Sequence, residues 1–408
     1  MSAVRRWVVM IVLGFSGGII FLLPFLREVY YKPMMAAFDL SNTEAGVLMS
    51  VFGFMSMVSY FPGGWLADRV SPRKLITSAL LVTGALGLYF STFPGYTVSL
   101  VIHGCWGVAM SLLFWGAMIR VTRGWAPPDQ QGKAFGVLET TRGVGEIGAS
   151  SVLLGVFAWL GSGDKALSVI IVQLSGIIIV LGILSWLTIE DTTRADPAAS
   201  KVGLADVIAV LKMPIVWLIS IVVMTAYSAY WTSFYFTPYV NDVFLMSAAI
   251  AGAVSVGKMW LKPIAALLAG FVGDRFGIAK STIVLFVVLV ASFATFSVLP
   301  ASPDLFVVML VNVAIAALAI FALRGIYFAL LEEGGVPLAV TGTAGGVVSA
   351  IGFTPDVFMP VLGGVLLDRY PGITGYQHLY LATAGMCVVG LIAATIILRR
   401  FVVQKDRS

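Results

Sequence analysis

GGWLADRVSPRK, residues 63–74, and GFVGDRFGIAK, residues 270–280, decide the architecture of this 408-residue chain. Gly64 and Gly270, Asp68 and Asp274, and Arg69 and Arg275 each stand 206 positions apart. Each stretch closes one apolar run and opens the next, at the same place in its half of the chain. A repeat of that length and placement implies two homologous halves.

The composition says what kind of halves these are. The chain is 59% hydrophobic and 11% charged, with a mean hydropathy of +0.99, whereas soluble chains carry about 25% charge. This excludes an ordinary soluble enzyme, a nucleic-acid binder and a disordered scaffold. Cys105 and Cys387 sit in apolar runs and imply no disulfide framework. The chain is expected to live in the lipid bilayer.

A spanning helix takes about 20 apolar residues. Apolar runs between charge clusters and Gly/Pro/Asp/Asn punctuation predict twelve spans: 7–33, 44–66, 75–94, 97–122, 134–160, 166–188, 213–240, 246–271, 280–299, 304–330, 338–366 and 377–398. The expected fold is an all-α polytopic membrane protein, twelve transmembrane helices in two pseudo-symmetric six-helix halves. Residues 1–188 form the first half and 213–408 the second. The polar stretch 189–212 is read as a cytoplasmic linker with an amphipathic segment around Val202–Leu211.

Lys and Arg set the orientation, because cytoplasmic loops retain them. With the N-terminus inside, the cytoplasmic side holds sixteen: Arg5, Arg6, Arg69, Arg73, Lys74, Arg123, Lys133, Arg194, Lys201, Lys212, Arg275, Lys280, Arg399, Arg400, Lys405 and Arg407. Only Lys32, Lys165 and Arg369 fall outside. Both termini are therefore expected to be cytoplasmic, in a multi-pass protein of the plasma (inner) membrane.

The two repeated stretches resemble the signature of the major facilitator superfamily, a Gly-x-Leu-Ala-Asp-Arg run ending in basic residues between spans two and three. Gly64, Leu66, Ala67, Asp68, Arg69, Arg73 and Lys74 match it, while Ser71 and Pro72 replace its usual second glycine and first basic residue. Glycine lets helices approach closely, and an aspartate at a helix end accepts from a neighbouring helix N-terminus or pairs with Arg73. The resemblance implies a latch for the outward-facing state, with Asp68, Arg69, Arg73, Asp274 and Arg275 as gating residues. The alternative is that they are topology charges alone. An organic-anion or sugar-phosphate type of transporter is favoured within the superfamily.

Ionisable side chains at membrane depth cost at least about 2.5–3.5 kcal/mol and so face a cavity or a partner. Arg27, Arg120, Arg142, Lys258, Lys262 and Arg324 stand against Glu139, Glu146 and Asp356, a basic surplus that attracts anions. Lys258 and Lys262 share one face of span eight near the midplane. Arg120 and Arg324, 204 positions apart, offer a guanidinium from each half to clamp a carboxylate or phosphate; an ion pair of Arg120 with Glu139 explains the former equally well. Arg27 lines the cavity or belongs, with Tyr30, Tyr31 and Lys32, to an interfacial belt. In span seven Tyr227, Tyr230 and Trp231 lie deep enough to supply hydroxyl and indole donors, whereas Tyr235 and Tyr239 also fit an outer aromatic belt. The expected substrate-binding set is Lys258, Lys262, Arg120, Arg324, Arg27, Tyr227, Tyr230 and Trp231.

Glu146, Glu139 and Asp356 are the candidates for proton coupling. The alternatives are a static triad of Glu139, Arg142 and Glu146, and an Asp356 that satisfies freed backbone in a broken span. His103 is read as a neutral imidazole bonded to a backbone carbonyl. No metal-ligand spacing, phosphate loop or nucleophile elbow appears, so no cofactor, no metal and no enzyme chemistry are expected.

These readings predict a monomeric secondary transporter of a small organic anion, carboxylate or phosphate ester, working by alternating access with proton coupling or anion exchange. The partners expected are that anion, protons and the lipid bilayer, with no nucleic acid. Two alternatives stay open: a proton-driven exporter of lipophilic or cationic compounds, and an amino acid or dipeptide transporter.

Overall fold

The computed structural model describes residues 3–126, 130–190, 204–337 and 340–402. Most of the expected linker, with Arg194 and Lys201, and the terminal Lys405 and Arg407 lie outside the described residues, as do the side chains of Asp68 and Asp274. The described residues are helical and contain no strand.

The helices are α1 (Ala3–Ile19), α2 (Arg27–Phe38), α3 (Asn42–Arg69), α4 (Pro72–Phe90), α5 (Tyr96–Val108), α6 (Gly116–Trp125), α7 (Gln131–Trp159), α8 (Asp164–Thr188), α9 (Leu204–Leu211), α10 (Pro214–Thr232), α11 (Phe236–Asp242), α12 (Ala248–Phe276), α13 (Ile278–Val298), α14 (Phe306–Ile326), α15 (Leu330–Glu333), α16 (Thr341–Gly352), α17 (Pro355–Arg369) and α18 (Ile373–Ile397). Pairing α1 with α2, α5 with α6, α10 with α11, α14 with α15 and α16 with α17, and setting the short α9 aside, leaves twelve segments at the twelve predicted places. Nine of these are long and apolar enough to cross a membrane. The other three, α3, α4 and α7, carry ionisable residues at their ends or, in α7, along the length.

Local chemistry sets the boundaries. Ser41 and Glu44 form a reciprocal capping box at the start of α3. Pro72, Pro214 and Pro355 occupy the first turns of α4, α10 and α17, where a missing N–H costs nothing. Gly277, at φ 92°, makes the sharp turn between α12 and α13 that a side chain would strain.

The chain divides into two compact units, Met1–Ala199 with Ala248–Val256, and Ser200–Ser247 with Gly257–Ser408. In the first, glycines set the closest helix crossing. A Cβ on Gly18 would collide with the Arg142 carbonyl oxygen and lie 3.0 Å from the Glu146 nitrogen, and one on Gly17 would lie 2.8 Å from Met118 Sδ. Small residues permit such approach in lipid, where packing rather than hydrophobicity joins helices. The motif glycines behave differently from expectation. Gly63 is the close-contact position, against the Ser111 carbonyl, while Gly64 and Gly270 have open space beside them.

Gly18→Ala is therefore expected to destabilise the protein by about 1–3 kcal/mol, because the obstacle is backbone. Gly64→Ala is expected to be neutral or slightly stabilising. Thermal unfolding of the two purified variants compares them directly.

In the second unit, polar bonds join helices across apolar faces. Ser292 Oγ donates to Asn312 Oδ1 at 2.7 Å, Asn312 Nδ2 donates to the Ser292 carbonyl at 3.0 Å, and the Thr232 and Thr383 hydroxyls are 2.7 Å apart. Several spans are interrupted. Span one breaks at a 3-10 turn, Ile20–Leu22; span four carries a π-helical stretch, Ala109–Trp115; spans seven and ten pass through 3-10 turns at Ser233–Tyr235 and Tyr327–Ala329. Span eleven breaks between Gly352 and Pro355. Such breaks free backbone groups where a protein needs polar atoms at membrane depth.

Candidate functional site

The breaks in spans seven, ten and eleven frame a cluster of polar and aromatic side chains in the second unit. Asp356 is the second residue of α17, behind Pro355, where the positive end of the helix dipole favours a carboxylate. Trp231 Nε1 donates to Asp356 Oδ1 at 2.7 Å, and the Tyr227 hydroxyl also bonds to this carboxylate. Arg324, from the last turn of α14, lies 3.9 Å from the Tyr230 ring centroid and 5.5 Å from that of Tyr227. Its guanidinium is within hydrogen-bonding reach of the Tyr230 and Tyr327 hydroxyls.

Two features of Arg324 bear on chemistry. Its charge is felt by Asp356 in the same cluster. Its Nη1 is buried without a hydrogen-bond partner among the described residues. A buried donor left without an acceptor calls for a bound ion, a water or a ligand.

Lys258 joins the same cluster through aromatic rings. It is only 2% exposed, donates to the Ser233 carbonyl at 3.2 Å and to Ser233 Oγ at 3.1 Å, and lies 5.0 Å from the Phe234 ring. Phe234 stacks on Trp231 at 4.9 Å and meets Tyr230 edge-on at 5.2 Å. Ser233 opens the 3-10 turn of span seven, so the lysine compensates a helix break while holding a second cation beside the rings. Lys262, one helical turn further along α12, is half-buried.

The first unit holds most of the remaining candidates. Arg142 forms an ion pair with Glu139 at 2.6 Å, donates from Nε to the Gly17 carbonyl at 3.3 Å, and lies 5.2 Å from the Trp115 ring. Glu139, weighed above as a partner for Arg120, thus takes Arg142. Arg120 donates to the carbonyls of Ala67 and Val70, at the end of α3 that carries the repeated motif. Glu146 is half-buried on the face of α7 that meets Gly18.

The belt alternatives for Arg27, Tyr235 and Tyr239 do not fit their burial. Arg27 is 1% exposed, donates to the Ala45 carbonyl at 3.0 Å and lies 5.0 Å from the Tyr31 ring. The break before α2 leaves it enclosed by protein. Tyr235 and Tyr239 are fully buried as well, and the Tyr235 hydroxyl donates to the Pro360 carbonyl at 2.8 Å. His103 contacts the Ser99 carbonyl through Nδ1 at 2.8 Å, the backbone bond its sequence context suggested.

Arg69 lies over Trp65 at 4.2 Å, Arg73 over Trp186 at 4.0 Å and Arg275 over Phe276 at 5.7 Å. Sequence reasoning missed Tyr327, Ser233 and Trp115. Tyr327 follows Arg324 by three positions, so a helical wheel of span ten already places it on the arginine's side.

Comparison with known proteins agrees with this architecture. The sequence profile of the Major Facilitator Superfamily matches residues 7–259. The inner membrane protein YqcE of Escherichia coli (strain K12) is 30% identical over 401 residues, covering 96% of this chain and 94% of that protein. The inner membrane protein YihN of the same organism is 29% identical over 413 residues, covering 98% and 97%. The crystal structure of a bacterial homolog of the human lysosomal transporter Spinster, inward-facing and unoccupied, has a TM-score of 0.80 at 14% identity, covering 100% of this chain and 99% of that one. A profile match over more than half the chain and a 30% identical relative along nearly its whole length have one meaning: this chain belongs to the Major Facilitator Superfamily of membrane transporters.

Proposed function

We propose that this transporter carries a small organic anion, a carboxylate or phosphate ester, and binds it at Arg324 in the second unit. The observation that carries the reading is the buried, partnerless Nη1 of Arg324. Asp356, the carboxylate of the cluster, is already engaged by Trp231 and Tyr227. It orients those donors instead of saturating the guanidinium.

The Arg324 guanidinium, with the Lys258 ammonium against the same group of rings, gives the cluster a basic character that favours an anion over a cation. The Tyr227, Tyr230 and Tyr327 hydroxyls add donors for an oxygen-rich group. A guanidinium stacked on a tyrosine ring is held in a fixed plane, which suits the planar oxygens of a carboxylate or one edge of a phosphate. Arg120 and Arg27 fall outside this proposal, since both serve backbone carbonyls in the first unit.

Thermal unfolding of the purified protein against carboxylates, phosphate esters, amino acids, lipophilic cations and neutral apolar compounds tests the reading. A transported anion at a hundredfold its Kd is expected to add about 2.7 kcal/mol of stability. Stabilisation by cations or apolar compounds alone would refute it. For the coupling carboxylate, Asp356, Glu139 and Glu146 are separable: replacing the proton carrier abolishes net uptake but spares counterflow.

A further inference from the structure

The turn between α3 and α4 carries this chain's departure from the family signature, and its chemistry is that of a phosphate site at the membrane surface. Pro72 starts α4, so Arg73 and Lys74 occupy the next positions of the first turn, which contains no acidic residue. The positive end of the helix dipole and two cations thus coincide, an arrangement that destabilises a helix unless an anion lies near. The helix does not relieve it internally. Ser71, at the N-cap, makes no capping bond, is 1% exposed, and its Oγ has no hydrogen-bond partner among the described residues.

Arg73 adds a second observation. Its guanidinium lies 4.0 Å from the ring centroid of Trp186, in the last turn of α8, and its Nε is buried without a hydrogen-bond partner among the described residues. Lys74 is exposed. Glu190, just beyond α8, pairs with Arg5 at 3.1 Å. Trp7, Trp65 and Trp186 are all substantially exposed at the same ends of their spans, as a tryptophan belt at a bilayer surface would be.

We infer that the α4 N-terminus, Arg73 and Lys74, with Trp186 as an interfacial anchor, bind the phosphate of an anionic phospholipid. Basic pockets between spanning helices at the membrane surface take such headgroups. The acyl chains lie along the apolar outer surface while the phosphate oxygens accept from the guanidinium, the ammonium and the first-turn N–H groups. The site shares no residue with the Arg324 cluster, so it does not depend on the anion-transport reading.

Native mass spectrometry of the full-length protein, with phosphatidylglycerol and phosphatidylcholine added in equal amounts, tests the assignment. The wild type is expected to retain phosphatidylglycerol at least tenfold over phosphatidylcholine. Arg73→Gln is expected to lower that retention about tenfold, Arg73→Lys to restore most of it, and Lys74→Gln, at an exposed position, to lower it about fivefold. Lys74→Gln keeps the test valid if Arg73→Gln fails to fold. Equal retention of the two lipids, or unchanged preference in Lys74→Gln and Arg73→Gln, would overturn the proposal. So would release of the bound lipid by millimolar inorganic phosphate, which would assign the site to a soluble anion.

Discussion

Replacing Arg324 with Gln is expected to weaken binding of the transported anion about a hundredfold or more. A guanidinium contributes charge-assisted hydrogen bonds of about 1.5–3 kcal/mol each. Losing two of them exceeds two decades of affinity at about 1.4 kcal/mol per decade. The fold should survive, because Asp356 keeps Trp231 and Tyr227 as donors. Arg324→Lys restores the charge but not the planar fork, nor the stacking on Tyr230 at 3.9 Å, so about a tenfold loss is expected to remain. Ligand-induced thermal shifts for the three proteins give the order. Unchanged affinity in Arg324→Gln would move the anion site elsewhere.

Asp356→Ala is expected to act mainly on stability. It leaves the Trp231 indole and the Tyr227 hydroxyl without their acceptor, and each orphaned donor costs about 1–3 kcal/mol. A total loss of about 2–6 kcal/mol follows, with weaker anion binding because the rings that hold Arg324 lose their anchor. Asp356→Asn keeps an oxygen for Trp231 and should cost about 1–2 kcal/mol. Thermal unfolding ranks the variants. Equal stability of Ala and Asn would mean that the carboxylate does not orient these donors.

These effects concentrate on residues that the sequence alone marks. The repeat at 206 positions and the apolar runs locate all twelve segments, because lipid leaves helix as the economical way to satisfy a spanning backbone. Membrane-depth charges and span-seven aromatics point to Lys258, Arg324, Asp356, Tyr227, Tyr230 and Trp231, and these six converge. Charge at membrane depth is costly, so its location in sequence carries information.

Helix rotation and helix breaks were not readable. In span one Gly17, Gly18 and Pro24 flank the 3-10 turn at Ile20–Leu22 but are silent on its geometry, so the sequence leaves Arg27 between a cavity wall and an interfacial belt, whereas the side chain is enclosed. The π stretch in span four, Ala109–Trp115, is similarly silent, and it sets where Trp115 meets Arg142. α3 is apolar along much of its circumference, so nothing in the pattern distinguishes Gly63, which meets the Ser111 carbonyl, from Gly64 beside it. Arg120 and Arg324 sit at matching places in the two halves yet do different work: one serves the carbonyls at the end of α3, the other stacks among tyrosines. Sequence symmetry does not impose symmetry of role.

Counterflow in proteoliposomes tests the central claim most directly. Vesicles loaded with an unlabelled organic anion should transiently accumulate the labelled anion from outside when they hold the wild-type protein, and should not when they hold Arg324→Gln. Accumulation by the Arg324→Gln protein at the wild-type rate, or counterflow confined to cations and apolar compounds, would contradict the account.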